Sequence, residues 1–302
     1  MTSQSRATLY GLATVLLWST VASAFELTLR HLEPLELVVY ASVVSLVILG
    51  AMLVARGDLR LAFAGTRRQY LRSFLLGALN PFLYYLVLFN AYDRLPAQEA
   101  QPLNYTWALT LAVLSVPLLG QRIGKRDFAG LGLGYLGVLV VSTHGDILGL
   151  RFTDGLGVAL ALGSTLIWAL YWIYSTKDSR DPIVCLFLAF ACGVPLVVLY
   201  WLVAGEPRLP DARGLLGAAY VGAFEMSVTF ALWLYALRLS ANTAKVGSLI
   251  FISPFISLVL IHFVVGEDIR RSTIAGLVLI VAGLAVQRYR PKRAADSGPA
   301  AC

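Results

Sequence analysis

Residues 35–55 read LELVVYASVVSLVILGAMLVA, a run of 21 predominantly apolar residues that contains one carboxylate, Glu36. About 20 such residues in a helix cross the roughly 30 Å hydrocarbon core of a bilayer. Further apolar stretches of similar length lie on both sides of this run, separated by short polar connections. The sequence therefore predicts ten membrane-spanning helices, at residues 7–27, 35–55, 69–92, 97–119, 126–144, 155–176, 183–204, 212–238, 242–265 and 271–289.

The composition of the chain agrees with a membrane protein. Of its 302 residues 58% are hydrophobic and 14% are charged, and the mean hydropathy is +0.75. Soluble domains carry about 25% charged residues. The net charge of +7 does not indicate nucleic acid as a partner, because the basic residues lie at helix ends, where they anchor and orient membrane spans. The three cysteines form no CxxC or Cys/His cluster, so the sequence predicts no metal site and no cofactor.

The first predicted span resembles a cleavable signal peptide. Arg6 precedes an apolar run that ends at Ala22-Ser23-Ala24, an A-x-A pattern. We nevertheless expect this helix to be retained, because an equivalent helix recurs in the middle of the chain.

The distribution of Lys and Arg predicts the orientation in the membrane. With the N-terminus inside, sixteen basic residues fall in inside segments and seven in outside segments, and Lys245 falls within a span. Basic residues accumulate on the cytoplasmic side of membrane proteins. Both termini are therefore expected in the cytoplasm, which requires an even number of spans.

The two halves of the sequence repeat. Leu95-Pro96-Ala97 before the fourth span matches Leu239-Ser240-Ala241 before the ninth, 144 positions later. Gly130 and Gly137 in the fifth span match Gly276 and Gly283 in the tenth, 146 positions later. Because each half holds an odd number of helices, the second half enters the membrane from the opposite side. The predicted fold is an all-α polytopic membrane protein whose ten transmembrane helices form an inverted repeat of two five-helix halves.

This pattern resembles the drug/metabolite transporter superfamily, in its ten-helix form with paired EamA domains. Within that superfamily it is most similar to the YddG-type exporters of aromatic amino acids. The motifs that carry the resemblance are Leu17-Trp18-Ser19, Ile167-Trp168-Ala169, Asp154-Gly155, Ala91 and Ala236, the Leu-x-Ala entries to the fourth and ninth spans, and the glycines of the fifth and tenth.

The resemblance implies a carrier in the bacterial cytoplasmic (inner) membrane that exports amino acids by alternating access. It also implies a central cavity lined mainly by helices 1, 3, 4, 6, 8 and 9. The expected division is a first EamA-like repeat over residues 7–144, a second over 153–290, and a polar cytoplasmic tail over 291–302.

Polar residues within the apolar spans are the candidates for a substrate site, because ionisable groups in a membrane usually face protein or a water-filled cavity. The repeat pairs Asn80 with Glu225 at a shift of 145, and Gln101 with Lys245 at a shift of 144. Aromatic residues share the helical faces of these polar groups. The predicted substrate-binding residues are Asn80, Tyr84, Gln101, Asn104, Tyr105, Trp107, Trp168, Trp172, Glu225, Lys245 and Ser248.

A cavity with aromatic walls and few charges suits a substrate with an apolar or aromatic side chain. Lys245 is able to meet a carboxylate and Glu225 an amine. Structural alternatives stay open at this stage. The aromatics can serve packing or the interfacial belt, Lys245 can snorkel to lipid headgroups, and Glu225 can form an internal pair with Asn80 or Lys245.

Other functions remain as alternatives. Carriers of the same fold for sugar phosphates or nucleotide sugars need several cationic groups to bind phosphate, and only Lys245 is available. Export of cationic drugs would use Glu225. An intramembrane enzyme needs paired acids or metal ligands at matching depth, and the spans offer one clear acid, so we expect no enzymatic activity. The sequence leaves the energy source and the oligomeric state open.

Overall fold

The computed structural model describes residues 3–119, 125–149, 152–175, 178–206, 209–239 and 248–288. Every regular element within these ranges is helical, and none of them is a strand. The protein is therefore all-helical in its described part. Six stretches there are long and apolar enough to cross a membrane: Ser3–Leu29, Pro34–Ala55, Arg67–Arg94, Gly155–Ser175, Pro182–Ala204 and Ala212–Ala236.

The helices follow the apolar runs of the sequence closely. In chain order they are α1 (Ser3–Leu29), α2 (Pro34–Ala55), α3 (Arg67–Gly77), α4 (Tyr84–Arg94), α5 (Ala97–Tyr105), α6 (Trp107–Leu119), α7 (Lys125–Ser142), α8 (Gly155–Ser175), α9 (Pro182–Ala204), α10 (Ala212–Phe224), α11 (Val228–Leu239), α12 (Ser253–Leu260) and α13 (Arg271–Arg288). Short 3-10 or π elements occupy Leu59–Phe63, Ala78–Leu83, Ser248–Ile252 and Ile261–Val265.

Several helices begin at capping residues. Thr66 accepts a hydrogen bond from the Gln69 backbone N–H at 3.3 Å, which satisfies one of the free donors at the start of α3. The Asp181 side chain accepts from the Ile183 backbone N–H at 2.9 Å at the start of α9. Burial raises the pKa of Asp181, but hydrogen bonds from Arg56 and the α9 backbone outweigh it, so this pKa lies below its ordinary value.

Three of the predicted spans are interrupted rather than continuous. The predicted span 69–92 is divided at Asn80, whose backbone is extended (φ −146°, ψ 116°) and which precedes Pro81. The span 97–119 is divided at Thr106, and the span 212–238 at residues 225–227. Proline supplies a local cause in the first case because it lacks an N–H and cannot continue the helical hydrogen bonds.

Hydroxyl groups compensate the interruption between α10 and α11. The Ser227 hydroxyl donates to the Gly222 carbonyl at 2.6 Å, and the Thr229 hydroxyl donates to the Phe224 carbonyl. Serine and threonine side chains commonly satisfy carbonyl groups that a broken membrane helix leaves free. The Glu225 side chain is therefore not required to satisfy these backbone groups.

Glycines bring α7 and α13 into close contact. A Cβ atom added at Gly137 would lie 2.5 Å from the Gly276 carbonyl oxygen, and one added at Gly283 would lie 2.5 Å from the Gly130 carbonyl oxygen. Such small residues allow helix backbones to approach in membranes. Since residue 137 meets 276 and residue 130 meets 283, the two helices run antiparallel.

The remaining long helices pack against one another around the middle of the bundle. α2 and α9 are also antiparallel, since Tyr40 contacts Trp201 and Gly50 contacts Phe187. α1 packs against α10, α11 and α12, while α8 packs against α4, α5 and α6. The helices α1, α4, α5, α8 and α11 thereby surround a common central space.

The α7–α13 contact gives a direct prediction about stability. Gly137→Ala places a methyl group against the Gly276 backbone, and overpacking of this kind costs about 1–3 kcal/mol. Gly132 is the matched control, because a Cβ atom at Gly132 on the same helix meets nothing within 4 Å. We expect a lower thermal unfolding midpoint in detergent for Gly137→Ala and no loss for Gly132→Ala. Equal midpoints for the two variants would contradict this packing.

Candidate functional site

The central space between the helices is a cavity of about 780 Å³, including the open space at its mouth. Its walls come from α1, α4, α5, α6, α8 and α11, together with Glu225 and the short element Ser248–Ile252. None of the lining residues lies on α7 or α13. The lining residues are Trp18, Val21, Ala22, Phe25, Tyr84, Leu88, Tyr92, Gln101, Asn104, Tyr105, Trp107, Trp168, Trp172, Glu225, Trp233 and Ile250.

Most of the residues predicted from the sequence meet in this cavity. Asn80 does not line it, although it is buried. Its extended backbone at the kink removes it from the helical face that it was expected to share with Tyr84. Ser248 begins the element Ser248–Ile252, and Lys245 lies outside the described residues. The predicted residues that line the cavity are Tyr84, Gln101, Asn104, Tyr105, Trp107, Trp168, Trp172 and Glu225.

Stacked and edge-to-face rings form one wall. Trp168 stacks on Tyr84, with ring centroids 4.4 Å apart and an interplanar angle of 23°. Trp172 meets the edge of Trp168 at 5.9 Å, and Trp18 lies 5.7 Å from Trp233. Offset and edge-to-face pairs at these distances are favourable. The wall is therefore a rigid aromatic surface contributed by four different helices.

Glu225 is the acidic residue among those that line the cavity. It sits at the interruption between α10 and α11 and is 8% exposed. The Tyr85 hydroxyl donates a hydrogen bond to its Oε1 atom at 3.2 Å, and Trp18 lines the same cavity. Among the side chains that the structure describes, no cation lies within salt-bridge distance of Glu225.

Amide side chains from α5 contribute further polar groups to the cavity wall. Asn104 donates to the Ser164 hydroxyl at 3.0 Å and to the Tyr84 hydroxyl at 3.4 Å, so its amide is fixed in place. Gln101 is 3% exposed. Its Oε1 atom has no hydrogen-bond partner in the described part of the chain. A buried acceptor without a partner is costly, and a donor on a bound molecule would satisfy it.

Comparison with known proteins identifies the family. Residues 5–143 and 155–288 both match the EamA-like transporter family. The chain belongs to this family. It is therefore a transporter and a multi-pass membrane protein, as the resemblance of its sequence motifs predicted.

Individual relatives of this EamA-like transporter cover most of its length. The aromatic amino acid exporter YddG of Ancylobacter novellus is 27% identical over 301 residues, covering 96% of this chain and 100% of the exporter. The uncharacterized transporter YvbV of Bacillus subtilis is 27% identical over 71% of this chain and 70% of its own. The uncharacterized inner membrane transporter YedA of Escherichia coli K12 is 24% identical over 78% and 79% of the two chains.

A solved structure shares the fold. A protein known by its crystal structure aligns with a TM-score of 0.66 and 23% identity, over 93% of this transporter and 96% of the other chain. At that identity the likeness concerns the fold alone.

The sequence-based set of site residues omitted half of the cavity wall. The missing members are Trp18, Val21, Ala22, Phe25, Leu88, Tyr92, Trp233 and Ile250. A signal for most of them was present, because residues three or four apart share a helical face. Counting in such steps from Trp18 reaches Phe25, and counting from Tyr84 reaches Leu88 and Tyr92.

Tyr92 divides the central cavity from a second pocket in this EamA-like transporter. It lines both, and its ring lies 5.2 Å from that of Phe25. The second pocket is rich in carboxylates and is also lined by Glu26, Asp93, Arg94, Leu95, Pro96, Gln98, Glu267 and Asp268. At this end of the protein the central cavity is therefore closed by packed aromatic rings.

A polar cluster lies at the same end of the bundle and joins distant segments. The fully buried Glu99 pairs with His144 at 2.9 Å and also with Arg270, and Thr153 donates to Glu99 at 3.1 Å. His144 and Thr153 belong to the connection between the two matched segments. The cluster therefore ties that connection to the first turn of α5 and to the residue that precedes α13.

The geometry of this cluster differs from that of a catalytic triad. In a triad the acid and the nucleophile bind different ring nitrogens of the histidine. Here Glu99 and Thr153 both approach Nε2 of His144, at 2.9 Å each. Nor does any group of His, Cys, Asp and Glu in the described ranges have the arrangement of a metal site.

Proposed function

We propose that this EamA-like transporter exports aromatic amino acids and related small amphipathic metabolites across the cytoplasmic membrane. The observation that carries the proposal is the aromatic character of the cavity, since nine of its sixteen lining residues are Trp, Tyr or Phe. Aromatic rings favour offset or edge-to-face contact with another ring. The side chain of phenylalanine, tyrosine or tryptophan would find such contacts on several sides at once.

The polarity of the cavity supports the same substrate class. Ligand cavities have mostly apolar walls with a few fixed polar groups, and the lining of this one is of that kind. Glu225, Gln101 and Asn104 are the polar groups available for the ends of an amino acid. A relative that aligns over 96% of this chain is itself named an aromatic amino acid exporter.

The proposal includes an inverted repeat of two five-helix halves, residues 7–144 and 153–290. The contacts between helices support it, because several of them have a counterpart in the other half. The repeat pairs Gly130 with Gly276 and Gly137 with Gly283. Applied to the contact of Gly137 with Gly276, it therefore gives the contact of Gly283 with Gly130, which is also present. The contacts of α1 with α10 and α11 have their counterpart in those of α8 with α3 and α4.

The interruptions of the helices support the repeat as well. Asn80 and Glu225 are 145 positions apart, as the repeat requires, and each lies where its helical stretch is broken. Since α2 and α9 run antiparallel, as do α7 and α13, equivalent helices have opposite directions. Inverted repeats of this kind place the substrate between the halves and move one half against the other during alternating access.

The proposed orientation places both termini, and the tail 291–302, in the cytoplasm. It rests on the excess of Lys and Arg in the segments assigned to the inside. In this orientation the acidic pocket bounded by Tyr92 faces the outside, so the packed aromatic rings close the cavity toward the external side.

Transport measurements test the proposed substrate. Proteoliposomes loaded with labelled phenylalanine or tryptophan are expected to release it faster than protein-free liposomes. Trp168→Phe removes part of the stacked wall, and aromatic pairs contribute about 0.5–1.5 kcal/mol, so we expect an apparent affinity about 2–10-fold weaker. Trp201→Phe on α9, which packs against Tyr40 away from the cavity, is the control and should behave as the wild type. Absence of efflux for every aromatic amino acid would refute the proposal.

Reporter fusions test the orientation and the inverted repeat together. Alkaline phosphatase is active only outside the cytoplasm, whereas green fluorescent protein fluoresces only when it folds inside. A phosphatase fused after Leu148, which is 98% exposed between the halves, should be active. A phosphatase fused after Cys302 should be inactive, and the fluorescent fusion should give the reverse pattern. The same signal at both positions is incompatible with five spans in the second half, which lies between them.

A further inference from the structure

In the described part of the chain, the central cavity has an acidic residue in its wall but no basic residue beside it. Glu225 is the one ionisable acid among its lining residues, and no Lys, Arg or His lies among them. The hydrogen-bond donor that reaches its carboxylate is the neutral phenol of Tyr85, at 3.2 Å. An ionised carboxylate held beside apolar walls is costly unless a positive charge accompanies it.

The local backbone leaves this carboxylate free to bind a ligand. The interruption between α10 and α11 frees carbonyl groups, and the hydroxyls of Ser227 and Thr229 satisfy two of them. Glu225 is therefore not needed as a cap or as a helical hydrogen-bond partner. It stands at the end of α10 with its side chain on the cavity wall.

Aromatic side chains line the cavity together with Glu225. Trp18 and Trp233 both belong to its wall, and Trp18 contacts both Trp233 and Phe230. Cations are attracted to the faces of tryptophan and tyrosine, the more so when water is excluded. A carboxylate with tryptophan rings beside it is the combination that recognises ammonium groups.

We propose that Glu225 and the adjoining tryptophans form a subsite for the primary ammonium group of the ligand. The inference rests on the proposed function, because it assumes that the central cavity is the substrate site. It extends that function by assigning a further ligand class, the aromatic monoamines, which carry an ammonium group but no carboxylate. It also predicts rejection of aromatic acids that lack an amine, since Glu225 would repel their charge.

Gln101 is the second polar group that an ammonium ligand would satisfy. Its buried Oε1 atom accepts no hydrogen bond from the described residues, and an ammonium group has three donors to share. Glu225 and Gln101 lie on different helices and line the same cavity. A ligand amine would thereby be held from two sides, and its ring would lie against the Tyr84–Trp168 stack.

Three indole compounds separate the contributions of the two charged ends. Tryptophan carries both charges, tryptamine only the ammonium, and indole-3-propionate only the carboxylate. Each is added as a competitor of labelled phenylalanine counterflow in proteoliposomes, and each is titrated calorimetrically into the purified protein in detergent. We expect tryptophan and tryptamine to compete and bind, and indole-3-propionate to do so at least 10-fold more weakly.

Substitutions at Glu225 test whether this residue binds the ammonium group. Glu225→Gln keeps the size of the side chain and removes its charge, and we expect it to weaken tryptamine binding about 10-fold or more. Glu225→Asp keeps the charge and should retain a measurable part of that binding. Glu206→Gln is the matched control, because Glu206 lies in an exposed loop. All variants are compared as monodisperse protein by size-exclusion chromatography.

The outcomes distinguish this inference from the proposed function. If indole-3-propionate binds as well as tryptamine, or if Glu225→Gln leaves tryptamine binding unchanged, the ammonium subsite is wrong even where phenylalanine counterflow persists. If phenylalanine counterflow is absent, the proposed function fails, and the calorimetric titrations still decide the subsite. Wild-type tryptamine binding by the double variant Glu225→Gln/Lys245→Met would also overturn the subsite, because it would indicate an internal ion pair.

Discussion

The hydrogen bonds of the backbone constrain this protein more than any other interaction. Within a bilayer every N–H and C=O group must find a partner inside the protein, so membrane spans are helical. Where a helix is interrupted, the freed groups must be satisfied by side chains or lie beside a cavity. The break at Glu225 obeys this rule, because the hydroxyls of Ser227 and Thr229 supply partners for two carbonyl groups there. The central cavity lies among these interruptions, whereas α7 and α13 contribute nothing to its wall.

Close backbone contact at the edge of the bundle complements the open centre. Gly130, Gly137, Gly276 and Gly283 allow α7 and α13 to meet without intervening side chains. Large aromatic side chains from several helices line the central cavity instead. The same chain therefore uses residue size to create a tight periphery and a hollow centre. Asn80 in the first half corresponds to Glu225 in the second half, so the second half places an acidic side chain beside the cavity.

The sequence predicted an all-helical membrane protein because its apolar runs have about the length that a bilayer requires, and six described stretches are long and apolar enough to cross one. It also predicted much of the cavity, since Tyr84, Gln101 and Trp168 combine polarity or aromatic character with an apolar span. It did not predict that Asn80 leaves the cavity wall, because the expected shared face with Tyr84 assumes a continuous helix. The pairing of Glu99 with His144 and Arg270 was not predictable either. These residues are 45 and 171 positions apart, and no local pattern brings them together.

The claim that the central cavity is the substrate site can be tested directly by substrate protection of a single cysteine. The three native cysteines are replaced by serine, and Ala22→Cys introduces one thiol on the cavity wall. Leu148→Cys, placed in the exposed connection, is the control. We predict that saturating phenylalanine slows maleimide labelling of the Ala22→Cys protein several-fold and leaves the control unchanged. Equal labelling rates with and without phenylalanine, in a protein that transports it, would contradict the account.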